Sequence, residues 1–135
     1  GVAARLKPGD FCDPDVWMRG VIDVAVVGSK TAVVVDWKTG KPKADSEQLR
    51  LFAAAALVQY PAVEKVRTGF AWLAHNKMDS AEFTREDAPA IWRDFAIRVE
   101  RMEHAADQNK FPPNPSGLCR QWCPVGKKLC DFCGE

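Results

Sequence analysis

Hydrophobic positions in this chain fall into short runs that switch between two periods. Val16 to Val27 is rich in β-branched and aromatic residues, and after Gly28-Ser29 the pattern resumes over Thr31 to Trp37 with Val33, Val34 and Val35. Two such runs joined by a two-residue loop containing glycine predict an antiparallel hairpin, which Thr39-Gly40-Lys41-Pro42 closes. The period then lengthens. Asp45 suits an N-cap with Gln48 three residues on, and Leu49, Phe52, Ala53, Ala56, Leu57 and Tyr60 recur at helical spacing until Pro61. Val66 to His75 predicts a third strand. A second helix, from Thr84 or Asp87, sets Ala88, Ile91, Trp92, Phe95, Val99, Met102 and Ala106 along one face. Phe111-Pro112-Pro113-Asn114-Pro115 stops it, and a Pro- and Cys-rich tail over residues 111–135 ends the chain. Strand, strand, helix, strand, helix and tail predict one α/β domain over residues 1–135: a small mixed β-sheet flanked by helices.

Two acids break the apolar pattern of the hairpin. Asp23 interrupts Val21-Ile22 and Val24 to Val27, and Asp36 ends a run of three valines. Carboxylates in strands this apolar are costly to bury without a partner. With Gly28-Ser29 as a two-residue loop, position 23 faces position 34, and Asp36 lies on the same face, diagonal to Asp23. Diagonal neighbours are about 7–8 Å apart, close enough for both carboxylates to share Mg²⁺ or Mn²⁺, which takes oxygen ligands at about 2.0–2.1 Å. Lys38 has the parity of Asp36. Two acids and a lysine on one sheet face can build a metal-dependent hydrolytic centre; a structural ion pair is the competing reading. A one-residue slip of the hairpin would put the acids on opposite faces.

Gly20-Val21-Ile22-Asp23, then Val35-Asp36-Trp37-Lys38-Thr39-Gly40, then Gln48-Leu49-Arg50-Leu51-Phe52 resembles the PD-(D/E)xK nuclease superfamily. More narrowly, it is similar to RecB-like and phage-type exonucleases, over positions 16 to 60. The resemblance implies a restriction-endonuclease-like fold and Mg²⁺- or Mn²⁺-dependent hydrolysis of DNA with a free end, in recombination, repair or phage DNA processing. It implies Asp23 and Asp36 as metal ligands, the Trp37 backbone carbonyl completing the metal shell, Lys38 as the catalytic lysine, and Gln48 near the scissile phosphate or its metal-bound water. For Gln48, helix capping is the alternative. Two features depart from the family. Phe52 replaces the usual Tyr, and the earlier helix that carries a Glu or His ligand has no match among the 22 residues before Asp23. Asp10, Asp13 and Asp15 do not match that motif, so the domain is expected to lack the helix. A structure-dependent endonuclease of the same superfamily and a non-cutting module that binds DNA or protein remain the other readings.

Composition narrows the partners. The 135 residues carry 19 Lys and Arg against 18 Asp and Glu, a net charge of +1, so any anion must be held by a local patch or through a metal. Lys41 and Lys43, beside the acid pair, are candidates for DNA phosphate contact, with plain solvation as the alternative. His75 and His104 lack an evident partner. Trp72 and Trp92 are expected in the core, while Trp37 and Trp17 are candidates for stacking on bases or for packing. The apolar runs fall short of the ~20 residues a membrane helix needs, and no signal segment is evident, so a cytoplasmic setting in a bacterial or phage-infected cell is expected.

Of five cysteines, Cys12 stands alone, while Cys119, Cys123, Cys130 and Cys133 crowd the tail. Four thiols within 15 residues suit tetrahedral Zn²⁺ or a cubane cluster; free thiols in a packed knob are the alternative. Some relatives hold a [4Fe–4S] cluster with one upstream and three C-terminal cysteines, a pattern that Cys12 and three tail cysteines would imitate.

Overall fold

In the computed structural model, residues 9–14, 16, 18–43, 47–125 and 128–132 are described; Asp15, Trp17, Asp45 and Cys133 lie outside them. Four strands, β1 (Val24–Val27), β2 (Thr31–Lys38), β3 (Lys65–Trp72) and β4 (Lys77–Thr84), form one sheet in the order β1-β2-β3-β4. β1 pairs antiparallel with β2, β2 parallel with β3, and β3 antiparallel with β4. The parallel pair needs a long crossover, which helix α1 (Glu47–Gln59) supplies. Helix α2 spans Ala88–Asp107 and the short α3 spans Leu118–Gln121. This is the mixed α/β, restriction-endonuclease-like architecture expected from the sequence.

Residues up to 100 form one compact unit. In β2, Ala32, Val34 and Asp36 are buried while Thr31, Val33 and Trp37 are exposed, the period-two signature of a sheet with one covered face. The cover is α1. Its Phe52, Ala53, Ala56 and Leu57 pack with Ala32, Val34, Val63 and Val66, and its Leu49 packs with Phe70 and Trp72. Ala54, on another face of α1, clusters with Ile91 and Trp92 of α2. An alanine-rich helix suits this place between two layers, because small side chains let both neighbours approach. Tyr60, expected in the helical stripe, lies beyond the helix and is 38% exposed.

The chain after α1 is held by backbone hydrogen bonds, among them the Val63 N–H donating to the Tyr60 carbonyl, and by one arginine side chain. Arg85 Nη2 donates to the carbonyls of Leu57 (3.2 Å), Tyr60 (3.2 Å), Pro61 (3.0 Å) and Val63. These carbonyls include ones that a helix end leaves without partners. Arg85→Ala is expected to cost about 1.5–3 kcal/mol, the range for hydrogen bonds to a charged group, read as a lower urea midpoint with an unchanged slope.

The structure corrects several sequence expectations. The first strand covers only Val24–Val27 rather than Val16 to Val27. Val24 pairs with Val35 and Val27 with Ala32, so four residues form the turn, closed by the Gly28 N–H donating to the Thr31 carbonyl at 2.8 Å. The two-residue loop is therefore wrong by two places in register. A shift of two keeps every side chain on its face, and it moves Asp23 from diagonal to directly opposite Asp36. The third strand ends at Trp72, and Leu73–His75 is a 3₁₀ turn followed by Asn76 at φ 45°.

β4 does not figure in the sequence reading at all. Asp79, Ser80 and Glu82 are poor strand formers, and an edge strand needs only the pairing that β3 offers. Gly69 permits that pairing: a Cβ there would lie 3.0 Å from the Asp79 carbonyl oxygen. In α2, Ile91 and Trp92 are the buried members of the expected stripe, and Met102 is 70% exposed.

Residues from 101 form a second compact unit. There α2 ends with Asn109 at φ 48°, the Lys110 N–H donating to the Ala105 carbonyl and the Gln108 N–H to that of His104. In the tail the Ser116 N–H donates to Cys119 Sγ at 3.4 Å. No helix among the described residues is long and apolar enough to cross a membrane.

Candidate active site

The polar end of β2 gathers the sequence-predicted residues. Period-two alternation turns Asp36 and Lys38 to the α1 side, where the first turn of α1 brings Gln48 down on them. Lys38 Nζ stands 2.6 Å from Asp36 Oδ2 and donates to Gln48 Oε1 at 2.9 Å. Gln48 Nε2 in turn donates to Asp36 Oδ1 at 3.1 Å. One amide thus holds a carboxylate and an ammonium at once, which rules out capping as its whole role. Lys38 Nζ also lies 4.9 Å above the centroid of the Phe70 ring, a cation–π contact. The Asp36 side chain is 10% exposed and that of Lys38 30%.

Asp23 completes the group from the neighbouring strand. Its Oδ2 accepts the Trp37 N–H at 2.9 Å. A strand residue aims its N–H and C=O at the same neighbour, so the Trp37 carbonyl also faces the Asp23 side. Trp37 itself is 48% exposed, on the sheet face away from α1. Trp72 and Trp92 are buried, as expected. Lys41 and Lys43 stand exposed on the segment that leaves β2.

An ion network anchors the turn that carries Gln48. Arg50 donates to Asp94 Oδ2 at 2.6 Å and to Glu47 Oε1 at 3.0 Å, and Arg98 pairs with the other oxygen of Glu47. The Asp94 and Glu47 carboxylates raise the Arg50 pKa above its usual value. Sequence reasoning missed these residues, although Glu47 and Arg50 at i,i+3 and Asp94 and Arg98 at i,i+4 are visible signals.

The donor set suits a hard divalent cation. Two carboxylates and a carbonyl are oxygen ligands of the kind Mg²⁺ and Mn²⁺ take. Asp36 Oδ2 is buried, stands 2.6 Å from the Lys38 ammonium and, among the described residues, makes no directed hydrogen bond. An acceptor in that state has lone pairs to offer a cation. Among the described residues no group of three or more His, Cys, Asp and Glu side chains gathers as a metal cage, so this pair would rely on the carbonyl, water and phosphate oxygens. Cys12 is exposed in the first unit, and Cys119, Cys123 and Cys130 are half-buried in the second; Cys133 lies outside the described residues.

Elsewhere, among the described residues, four carboxyls sit below their usual range: Glu64 beside Lys30, Glu82 beside Lys65 and Arg67, Asp79 beside Lys77 and Trp72, and Asp87 on the Thr84 N–H and hydroxyl. Groups whose pKa is lower folded than unfolded stabilise fully above the unfolded values of about 3.9 and 4.3. That contribution is lost as pH falls through the folded values. The urea midpoint is therefore expected to hold level above about pH 5 and to fall steadily below about pH 4; Asp79→Asn and Glu82→Gln should flatten that fall.

A mixed sheet whose parallel pair is bridged by a helix, with an acid pair, a lysine and a glutamine in contact at one strand end, defines a nuclease-like α/β domain. The chain belongs to the PD-(D/E)XK nuclease superfamily, whose model matches residues 2–131. It is similar to the Gene 69 protein of Mycobacterium phage L5, 31% identical over 122 residues, which are 82% of this chain and 40% of that protein. It is also similar to the Gene 69 protein of Mycobacterium phage D29, 30% identical over 112 residues, 82% of this chain and 41% of that protein. The chain spans about two fifths of the length of these curated relatives. Nucleases of this superfamily generally use divalent metals such as Mg²⁺.

Proposed function

We propose that this domain is a Mg²⁺- or Mn²⁺-dependent deoxyribonuclease that works as an exonuclease on DNA with a free end, in recombination, repair or phage DNA processing. The observation that carries the reading is the mutual contact of Asp36, Lys38 and Gln48, with Asp23 bonded to the backbone between the first two. Asp23, Asp36 and the Trp37 carbonyl would hold the cation. When bound, it neutralises the phosphate and lowers the pKa of a water for in-line attack.

The protein groups do the rest. Lys38 presents a compact positive charge beside the acids, where it can hold the attacking water or balance charge on the phosphorus oxygens. Gln48 restrains both Lys38 and Asp36 with one planar amide, so neither loses orientation when substrate arrives. Exonuclease action is favoured by the resemblance of the motifs to those of phage-type exonucleases, and a phage setting by the phage relatives of the chain.

Digestion of end-labelled linear duplex, linear single strand and closed circular DNA with Mg²⁺ or Mn²⁺ tests the reading. Loss of the linear but not the circular substrate is the expected result. Cutting of closed circles would replace it by endonuclease action, and intact substrates throughout would leave a binding module.

A further inference from the structure

On the α1-facing side of the sheet, two cross-strand rows run from β2 through β3 to β4: Asp36–Phe70–Asp79 and Lys38–Trp72–Lys77. The acid and lysine at the end of β2 therefore have a counterpart at the start of β4, in reversed order because β4 is antiparallel to β3. Strands lie about 4.8 Å apart, so the backbones at Lys38 and Lys77 are roughly 10 Å apart across Trp72. Lys77 Nζ is 2.8 Å from Asp79 Oδ1, and Trp72 Nε1 donates to Asp79 Oδ2 at 2.7 Å. Trp72 is 5% exposed, whereas the Lys77 side chain is 53% exposed. A buried indole fixes a carboxylate, and the carboxylate steadies an ammonium that reaches into solvent.

We propose that Lys77 is a second phosphate contact, gripping the backbone of a nucleic-acid strand beside the site formed by Asp23, Asp36 and Lys38, with Asp79 setting its position and tempering its pull. The proposal rests on the nuclease reading. Two lysines stand in one row and on one face, with backbones roughly 10 Å apart, so that one strand can meet both through different phosphates. An exposed ion pair is weak, so Lys77 can exchange Asp79 for a phosphate at little cost. Such a contact positions the strand without reading its sequence.

Binding of the full chain to a fluorescein-labelled duplex in EDTA, titrated across a series of KCl concentrations, tests this. Lys77→Ala and Lys77→Gln should weaken binding by the same factor on every sequence and lower the slope of log affinity against log salt by about 0.9. Lys77→Arg should keep the slope. Asp79→Asn keeps an acceptor for the indole and removes the competing charge, so it should bind several-fold tighter than the unmutated chain. An unaltered slope in Lys77→Ala, or Asp79→Asn binding no tighter than the unmutated chain, would overturn the proposal alone. Failure of the unmutated chain to bind in EDTA would overturn this inference, while digestion with Mg²⁺ or Mn²⁺ decides the nuclease reading separately.

Discussion

Lys38→Ala is expected to lower the rate of phosphodiester cleavage by about 10²–10³-fold, the usual loss when one group that stabilises transition-state charge is removed. The ammonium stands 2.6 Å from Asp36, donates to Gln48 and rests over the Phe70 ring. Lys77 does not take its place, because it lies across Trp72 and pairs with Asp79. Single-turnover digestion of an end-labelled duplex separates this loss from weaker binding. The substitution also leaves a buried carboxylate with Gln48 as its remaining hydrogen-bond partner, at a cost on the order of 1–3 kcal/mol. A divalent cation would restore the missing charge, so added Mg²⁺ should raise the thermal midpoint of Lys38→Ala more than that of the unmutated protein. An unchanged cleavage rate would remove Lys38 from the mechanism.

Phe52→Ala should be the most destabilising single change near the site, at about 3–5 kcal/mol, with no effect on cleavage per folded molecule. Phe52 is 7% exposed and packs with Ala32, Val34, Ala53, Ala56, Leu57, Val63 and Val66. It occupies the position where the family usually has Tyr, yet its neighbours here are core side chains, and its ring approaches Gly20 at the start of the Asp23 motif. Urea unfolding reads the stability loss. Digestion at low temperature, corrected for the folded fraction, reads the rate; a large fall there would give Phe52 a part in the chemistry.

The site was more legible than the sheet around it. Asp36, Lys38 and Gln48 could be grouped because a two-residue step in a strand and the first turn of the next helix are local geometry. Placing Asp23 required a hairpin register, and the register deduced from Gly28-Ser29 was wrong by two. The site survived because side chains alternate with period two, so an error of two leaves parity intact. β4 was hidden because Lys77-Met78-Asp79-Ser80 carries neither β-branched residues nor a clean alternation. The link between Trp72, Asp79 and Lys77 was hidden with it.

The sequence alone determined the order of elements, the apolar faces of β2 and α1, and the identity of the acid–lysine motif, since each depends on residues close in the chain and on fixed periods. The tertiary structure alone decided which strands pair and in what register, that α1 packs between the sheet and the start of α2, and that Arg85 closes the end of α1. It also set Asp36 and Asp79 in one row. Those outcomes rest on contacts between residues far apart in sequence, whose energy comes from burial and pairing that exist only once the chain has folded.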